Sequence, residues 1–132
     1  MDTNTLIQAY AKDPINNYVM ESFSISKEQQ NSVCGDMIIV YVRISDRWAI
    51  DKFSYAWAPQ MFTLAAASLL AEEVEWKKIE DVLAWNYATM QWLWFEVSPR
   101  RRRSAVSALL ALKNAIHEWK GDWIEEVYAD LM

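Results

Sequence analysis

The spacing of apolar residues changes at Pro59, and this change limits the folds that the chain can adopt. Between residues 36 and 45 the most apolar side chains recur with a period of two, as in a β-strand that buries one face. Residues 48–57 alternate in the same way, and only Asp46-Arg47 separates the two segments, which favours an antiparallel hairpin. After Pro59 the apolar positions have helical spacing. This order predicts an α+β fold, in which helices pack on one face of a small antiparallel sheet of about three strands.

The remaining segments are predicted to add one strand and the helices. Residues 18–23 are predicted to form a short first strand, and the polar residues 26–32 a loop. The aromatic residues Trp92, Trp94 and Phe95 are predicted to lie in the core. The alternative is an apolar contact surface that they form together with Trp57 and Phe62. Helices are predicted over residues 4–12, 60–75 and 78–87, then from Pro99 or Ser104 to Lys120 with Gly121 as a cap, and finally from Asp122 onwards.

Composition indicates the size and the surroundings of the protein. A chain of 132 residues fits one domain, 1–132, and 53% hydrophobic residues suffice for a core without disulfide bonds. No apolar run reaches the roughly 18–20 residues of a membrane helix. The first residues lack the features of a secretion signal, so we expect a cytoplasmic protein without membrane contact. A net charge of −5 argues against nucleic-acid binding. We expect no enzymatic activity.

The single cysteine stands in the sequence Cys34-Gly35-Asp36, where the predicted loop enters the strand 36–45. The glycine lets the backbone turn, and a carboxylate two residues after a thiol can bind the same metal ion. A lone cysteine in a cytosolic protein is more often a small buried apolar residue than a reactive group. Cys34 and Asp36 are therefore candidates for binding a metal ion or carrying sulfur, and an inert Cys34 stays open.

With its surroundings, this motif resembles the U-type scaffold proteins of iron–sulfur cluster assembly, which include the IscU type and the N-terminal domain of NifU. In that family a first helix leads into an Asn-Pro-x-Asn segment, and residues 10–17 here are Tyr-Ala-Lys-Asp-Pro-Ile-Asn-Asn. The family's first cysteine lies in Cys-Gly-Asp just before an alternating strand, as Cys34 does. The resemblance covers residues 5–119 and implies an IscU/SufE-like fold.

The resemblance also implies three cysteine ligands, of which this chain keeps one. The second cysteine position falls on Ala58 and the third on Ser104, while the histidine that often precedes the third falls on Arg103. A cluster or a zinc ion needs about four soft or imidazole ligands, which these residues do not supply. We therefore expect a degenerate member that binds no cofactor as a monomer. Iron, zinc or a cluster shared between two chains through Cys34 and Asp36 are the alternatives.

The long helix carries two further features. The arginines Arg100, Arg101, Arg102 and Arg103 are consecutive, and their charges oppose the helix dipole. They form either a solvated loop before a helix that begins at Ser104 or a docking patch for an acidic partner or a phosphate. The family's arrangement implies that Arg103 lies near the cysteine and favours its thiolate. The only histidine, His117, is predicted to lie about 20 Å from Ser104, as a surface or structural residue.

Three functions are open for such a chain. The first, which we prefer, is an accessory or degenerate scaffold that binds the assembly machinery, or carries sulfur or iron, without holding a cluster alone. The second is a sulfur acceptor similar to the SufE proteins, with a persulfide on Cys34. The third is a non-catalytic interaction module in which Cys34 is inert. The expected partners are a cysteine desulfurase or other iron–sulfur assembly proteins, and a homo-oligomer is open.

Overall fold

The structure is a computed structural model that describes residues 3–31 and 35–132. Within these residues a three-stranded antiparallel sheet packs against helices, so the predicted α+β fold is confirmed. None of the described helices is long and apolar enough to cross a membrane. The elements are α1 (Thr3–Lys12), β1 (Ile25–Asn31), β2 (Asp36–Ile44), β3 (Ile50–Ala56), α2 (Met61–Val74), α3 (Ile79–Leu83), α4 (Tyr87–Trp92) and α5 (Arg102–Lys120), with 3-10 turns at Pro99–Arg101 and Tyr128–Leu131.

The sheet has the order β1-β2-β3, and both pairs of neighbouring strands are antiparallel. β2 and β3 form the predicted hairpin, in which Val42 lies opposite Phe53. In the central strand β2, Ile38, Val40 and Val42 are completely buried. Their alternation follows from the pleat of the strand, which sends every second side chain to the same face.

The first strand lies where the sequence predicted a loop. β1 covers Ile25–Asn31, and residues 18–23 form no strand, so both predictions for this region are wrong. β1 consists mainly of polar residues and lies at the edge of the sheet, where polar side chains are common. Its backbone pairs with β2, and α5 packs against it. These tertiary contacts, rather than an apolar pattern, make the segment a strand.

Two helices, α2 and α5, form the centre of the packing. Most of α2 is buried, as expected for a helix that is apolar on nearly all sides. Every residue of α5 from Ser104 to His117 is buried, because this helix packs against β1, β2 and α2. Complete burial of a side chain such as Leu112 or Ile116 stabilises the fold by roughly 1.5–3 kcal/mol.

The segment after α5 corrects the prediction of a last helix. Gly121 ends α5 with a φ of 70°, as predicted. Residues 122–127 are not helical, and only Tyr128–Leu131 forms a short 3-10 turn. The side chain of Asn114 donates to the carbonyl oxygen of Glu126 (2.9 Å) and accepts from its N–H (2.8 Å). These two bonds hold the segment along α5 without helical hydrogen bonds of its own.

The region between α2 and α5 also differs from its prediction. Two short helices, α3 and α4, replace the single helix predicted over residues 78–87. Asn86 separates them because its side chain caps α4 and accepts from the N–H of Thr89. Phe95 is in the core as predicted, whereas Trp92 and Trp94 are 85% and 71% exposed, so the core prediction is wrong for both tryptophans.

Five tryptophans have a left-handed backbone conformation. Among the described residues other than glycine, they share a positive φ only with Asn16, a residue type that tolerates it. A left-handed backbone costs roughly 1–2 kcal/mol for a residue with a Cβ atom. Their exposed fractions are 48–98%, and the least exposed of them, Trp48, packs its ring edge-on against Trp119. For the other four, little burial offsets this cost. The five are Trp48, Trp57, Trp76, Trp94 and Trp123.

Candidate functional site

The first residue of β2, Asp36, connects the sheet to α2. Its carboxylate is almost completely buried at 3% exposure. Oδ2 accepts a hydrogen bond from Thr63 Oγ1 in the first turn of α2, and Oδ1 accepts one from the backbone N–H of Met37 (2.9 Å). Both oxygens of Asp36 therefore have protein partners, and the start of β2 is held to the start of α2.

The residues around Asp36 form the end of the β1–β2 pair. Gly35 has a φ of 63°, which fits the predicted turn, and is exposed. Cys34, the predicted sulfur or metal ligand, lies outside the described residues. Asn31, which pairs with Asp36 in the sheet register, is completely buried, and neither polar atom of its side chain has a hydrogen-bond partner.

The start of α5 lies between its two predicted positions, Pro99 and Ser104. A 3-10 turn, Pro99–Arg101, leads directly into α5 at Arg102, so neither a solvated loop nor a helix beginning at Ser104 is present. Arg101 occupies the N-cap position without a capping side chain. Ser104 is buried in the first turn. The helix thus begins within the arginine run.

Aromatic rings from different elements contact this run. The guanidinium carbon of Arg101 lies 4.7 Å from the ring centre of Phe62 in α2. Arg102 lies 5.2 Å from the ring of Tyr87 in α4, and Arg103 5.2 Å from the ring of Tyr128. These are cation–π distances. We call Arg100–Arg103 the arginine collar.

Tyr128 links the arginine collar to the sheet. Its hydroxyl oxygen lies 2.9 Å from Ser107 Oγ of α5 and 3.2 Å from the carbonyl oxygen of Gln30, the residue before the end of β1. Burial raises the pKa of Tyr128, and the charge of Asp36 also raises it whereas that of Arg103 lowers it. Arg103 and Asp36 therefore act on the same phenol. Sequence reasoning missed Tyr128, because no motif marks it.

A family model described as the NifU-like N terminal domain matches residues 2–125. The chain belongs to this family. The resemblance to the U-type scaffold proteins of iron–sulfur cluster assembly is thereby confirmed. No curated protein sequence matches this NifU-like domain.

Two solved structures share the fold of this NifU-like domain. One is a putative iron–sulfur cluster assembly scaffold protein for the SUF system from Fervidobacterium islandicum AW-1, with a TM-score of 0.70, 18% identity, and coverage of 84% of this chain and 93% of that chain. The other is a NifU-like protein (N-terminal) from Brucella abortus, with a TM-score of 0.77, 15% identity, and coverage of 89% and 94%. At such identities the likeness shows the fold.

The positions predicted from the resemblance to align with the family's ligands offer few donor atoms. Ala58, half-buried before α2, has none, and the hydroxyl of Ser104 is buried. Arg103 is positively charged and packs on Tyr128. Among residues 3–31 and 35–132, no group of three or more His, Cys, Asp and Glu side chains is arranged to hold a metal ion. The residues present therefore do not fit the family's ligand set, while Cys34 and Asp36 stay candidates.

His117 has a structural environment at the far end of α5. Its Nδ1 lies 2.8 Å from Asp122 Oδ2, and its Nε2 lies 2.7 Å from Glu126 Oε2. The hydrogen bond from His117 lowers the pKa of Asp122. Glu126 Oε1 also pairs with Lys113 Nζ at 2.9 Å, and Lys113 is buried. This cluster fastens the C-terminal segment to α5.

Proposed function

We propose that this NifU-like domain is a degenerate, accessory member of the cytoplasmic iron–sulfur assembly machinery. It docks on an assembly protein such as a cysteine desulfurase. It carries sulfur or iron through Cys34 and Asp36 and does not hold a cluster alone. The domain has no enzymatic activity of its own in this proposal. The family match supports the cluster-assembly context, and the donor set supports the accessory role.

The observation that carries the proposal is the chemistry of the three aligned positions. A methyl group at Ala58, a buried hydroxyl at Ser104 and a guanidinium at Arg103 cannot replace two thiolates and an imidazole. Asp36 already uses both carboxylate oxygens within the protein. A cluster that needs about four ligands would have to take the others from a second molecule.

The test is anaerobic incubation of the purified protein with iron and sulfide. We expect the monomer to remain colourless and to contain far less than stoichiometric iron. Sedimentation measured in parallel separates monomer from dimer. A stable cluster in the monomer contradicts the proposal. Iron confined to a dimer, and lost in Cys34→Ser, would assign the cluster to a site shared between two chains.

A SufE-like sulfur acceptor is the second candidate. The contacts of Tyr128 favour it, because this side chain carries the guanidinium of Arg103 on its ring and contacts the end of β1 at Gln30 with its hydroxyl. A cation favours the thiolate of a neighbouring cysteine, and the family's arrangement implies that Arg103 lies near Cys34. In this reaction the Cys34 thiolate attacks the terminal sulfur of a donor persulfide, a new S–S bond forms, and the donor cysteine leaves as a thiolate.

Mass spectrometry distinguishes the candidates. The protein is incubated with a cysteine desulfurase and cysteine, and the mass of the peptide that contains Cys34 is measured. An added sulfur atom, absent from Cys34→Ser, supports sulfur transfer. A Cys34 that takes up neither sulfur nor an alkylating reagent in the folded protein would leave only a non-catalytic interaction module.

A further inference from the structure

The arginine collar is a group of four positive charges that no described carboxylate neutralises. None of its guanidinium groups takes part in the ion pairs of the described residues. The chain nevertheless has 18 acidic and 13 basic residues, so carboxylates are plentiful. Lys113 and Lys120 of the same helix each pair with a glutamate. The collar is therefore an unbalanced patch on an acidic protein.

The aromatic contacts orient this charge. Phe62, Tyr87 and Tyr128 each lie within cation–π distance of one guanidinium group, so one face of that group is covered by an aromatic ring. The N–H groups of a guanidinium lie in its plane and form a fork that matches the two oxygens of a carboxylate. A side chain held in this way loses less conformational freedom when it binds.

We propose that the arginine collar is a docking surface for a carboxylate-rich peptide segment of the assembly partner. This inference rests on the proposed function and names the chemistry of the partner. Charge complementarity selects the acidic segment, since Arg100 and Arg103 are exposed and the collar has no carboxylate partner among residues 3–31 and 35–132. Arg100 and Arg103 are exposed and can contact the peptide directly. Arg101 and Arg102 are half-buried and add to the positive electrostatic potential of the collar.

The test uses a fluorescein-labelled hexaglutamate peptide and the whole protein at low ionic strength. The variant Arg100→Gln/Arg103→Gln is expected to lose affinity about tenfold or more, because two charge-assisted contacts are removed. The matched control Arg47→Gln/Lys77→Gln changes the net charge equally at exposed positions elsewhere and is expected to lose less than about twofold. The variant Arg100→Lys/Arg103→Lys should lie between them, since the charge stays and the planar fork is lost.

Three outcomes overturn this inference. The first is no binding by the native protein, and the second is an equal loss in the collar and control variants. The third is displacement of the peptide by inorganic phosphate at concentrations at which acetate has no effect, which would assign the collar to phosphate. Sulfur uptake by Cys34 is measured separately, so failure of the collar leaves the proposed function standing.

The five tryptophans with a left-handed backbone conformation support a second inference. At the end of α4 the N–H of Phe95 donates to the carbonyl oxygen of Met90 (2.9 Å) and that of Trp94 to Gln91 (3.0 Å). This is the Schellman motif, whose left-handed residue is usually glycine. The same pair of bonds ends α5, where Gly121 has the left-handed conformation.

In the β2–β3 hairpin, too, a tryptophan occupies a position that favours glycine. The N–H of Trp48 donates to the carbonyl oxygen of Ser45 (3.0 Å), and the N–H of Ser45 donates to that of Ala49 (2.9 Å). A three-residue hairpin loop of this kind ends in a left-handed residue, a position that favours glycine. Trp48 has a φ of 59° there.

We infer that positions 48, 57, 76, 94 and 123 are glycine positions, and that the polypeptide made in its own cells carries glycine at them. The chain has eight tryptophans and two glycines, whereas glycine averages about 7% of residues in proteins. One cause would account for all five positions: a codon that is decoded as tryptophan in some genetic codes and as glycine in others. Trp57 directly precedes Ala58, so a glycine there would remove a bulky exposed side chain beside an aligned ligand position.

Peptide mass spectrometry of the protein from its own cells tests this inference directly. Trypsin cleaves after Arg47 and Lys52, which releases residues 48–52 as a peptide with the first of the five positions at its start. Glycine at position 48, and at the four others in their peptides, is expected. Tryptophan at these positions would overturn the inference.

The recombinant protein gives an independent measurement. Trp94→Gly is expected to raise Tm by about 3–6 °C, because the backbone strain is relieved and the tryptophan side chain is 71% exposed. The matched control is Trp92→Gly, which replaces an exposed tryptophan that has no positive φ at the end of α4, and it is expected to lower Tm. Equal or opposite shifts in the test and control variants contradict the assignment.

Discussion

The two ends of α5 differ in the partners of their positively charged side chains. At its start the arginine collar contacts aromatic rings and has no carboxylate partner among the described residues. Near its other end, buried Lys113 and His117 are held by Glu126 and Asp122. Positive charge is also favourable near a helix C-terminus and unfavourable near the N-terminus. The paired end is held by buried ion pairs, whereas the positive charges of the other end contact aromatic rings instead of carboxylates among the described residues.

The largest expected change concerns metal binding at the start of α5. The variant Ala58→Cys/Ser104→Cys is expected to raise the affinity for zinc by more than about tenfold, because two thiolates join Cys34 and Asp36 toward the four ligands that zinc prefers. Competition with a chromophoric chelator measures the affinity. The control Ser22→Cys/Ala88→Cys adds the same number of thiols at exposed positions. Equal gains in both variants would show that the aligned positions do not converge.

The paired end should respond with a large loss of stability. Glu126 contacts both Lys113 and His117, so Glu126→Ala removes a carboxylate partner from each of these buried side chains. We expect the free energy of unfolding to fall by about 3–5 kcal/mol. Urea denaturation measures the change. The control Glu118→Ala removes the more exposed pair with Lys27 and should change stability by at most about 1 kcal/mol. Similar values for the two variants would contradict the contrast between buried and exposed pairs.

A smaller loss is expected where Asp36 meets α2. Thr63→Val removes a donor to a buried carboxylate while keeping the shape of the side chain, and it should lower the free energy of unfolding by about 1–3 kcal/mol. Thr3→Val is the control, since Thr3 makes an exposed hydrogen bond to the carbonyl oxygen of Trp94. If Thr63→Val unfolds at the same urea concentration as the native protein, the Asp36 contact contributes no stability.

Acid should weaken the paired end through Asp122. Its pKa in the folded protein is lowered from the ordinary value of 3.8, chiefly by the hydrogen bond from His117. The stability from this shift is present above about pH 4 and is lost as the pH falls through the folded pKa. The stability difference between the native protein and Asp122→Asn should therefore shrink below about pH 4. A difference that is constant from pH 7 to pH 3 would contradict this linkage.

The smallest change is expected in the arginine collar. Arg100→Gln removes an exposed charge beside the positive end of the α5 dipole, and it should raise the free energy of unfolding by roughly 0.3–1 kcal/mol at low salt. High salt should remove this gain by screening. A clear loss of stability would show that the collar contributes to folding, and the contrast between the two ends of α5 would then be lost.

The regular core was predictable because its signals are local. The alternation in β2 and the helical spacing in α2 and α5 follow from the geometry of one element, and the structure confirms them. β1 was not predictable in this way, since polar edge residues become a strand only when β2 supplies backbone partners. The predicted last helix is missing for a similar reason. Asn114 of α5 forms two hydrogen bonds with the backbone of Glu126, and these bonds hold the segment in a non-helical conformation.

By itself, the sequence determined the α+β fold and the membership in the NifU-like family, and it predicted the positions where family ligands are replaced. Only the tertiary structure decided that Thr63 holds Asp36 and that Tyr128 connects Arg103 to β1. These contacts join residues far apart in the chain, and no local periodicity encodes them. The tertiary structure also placed five tryptophans in left-handed conformations, because turn geometry is set by the elements on either side and not by the side chain at the turn.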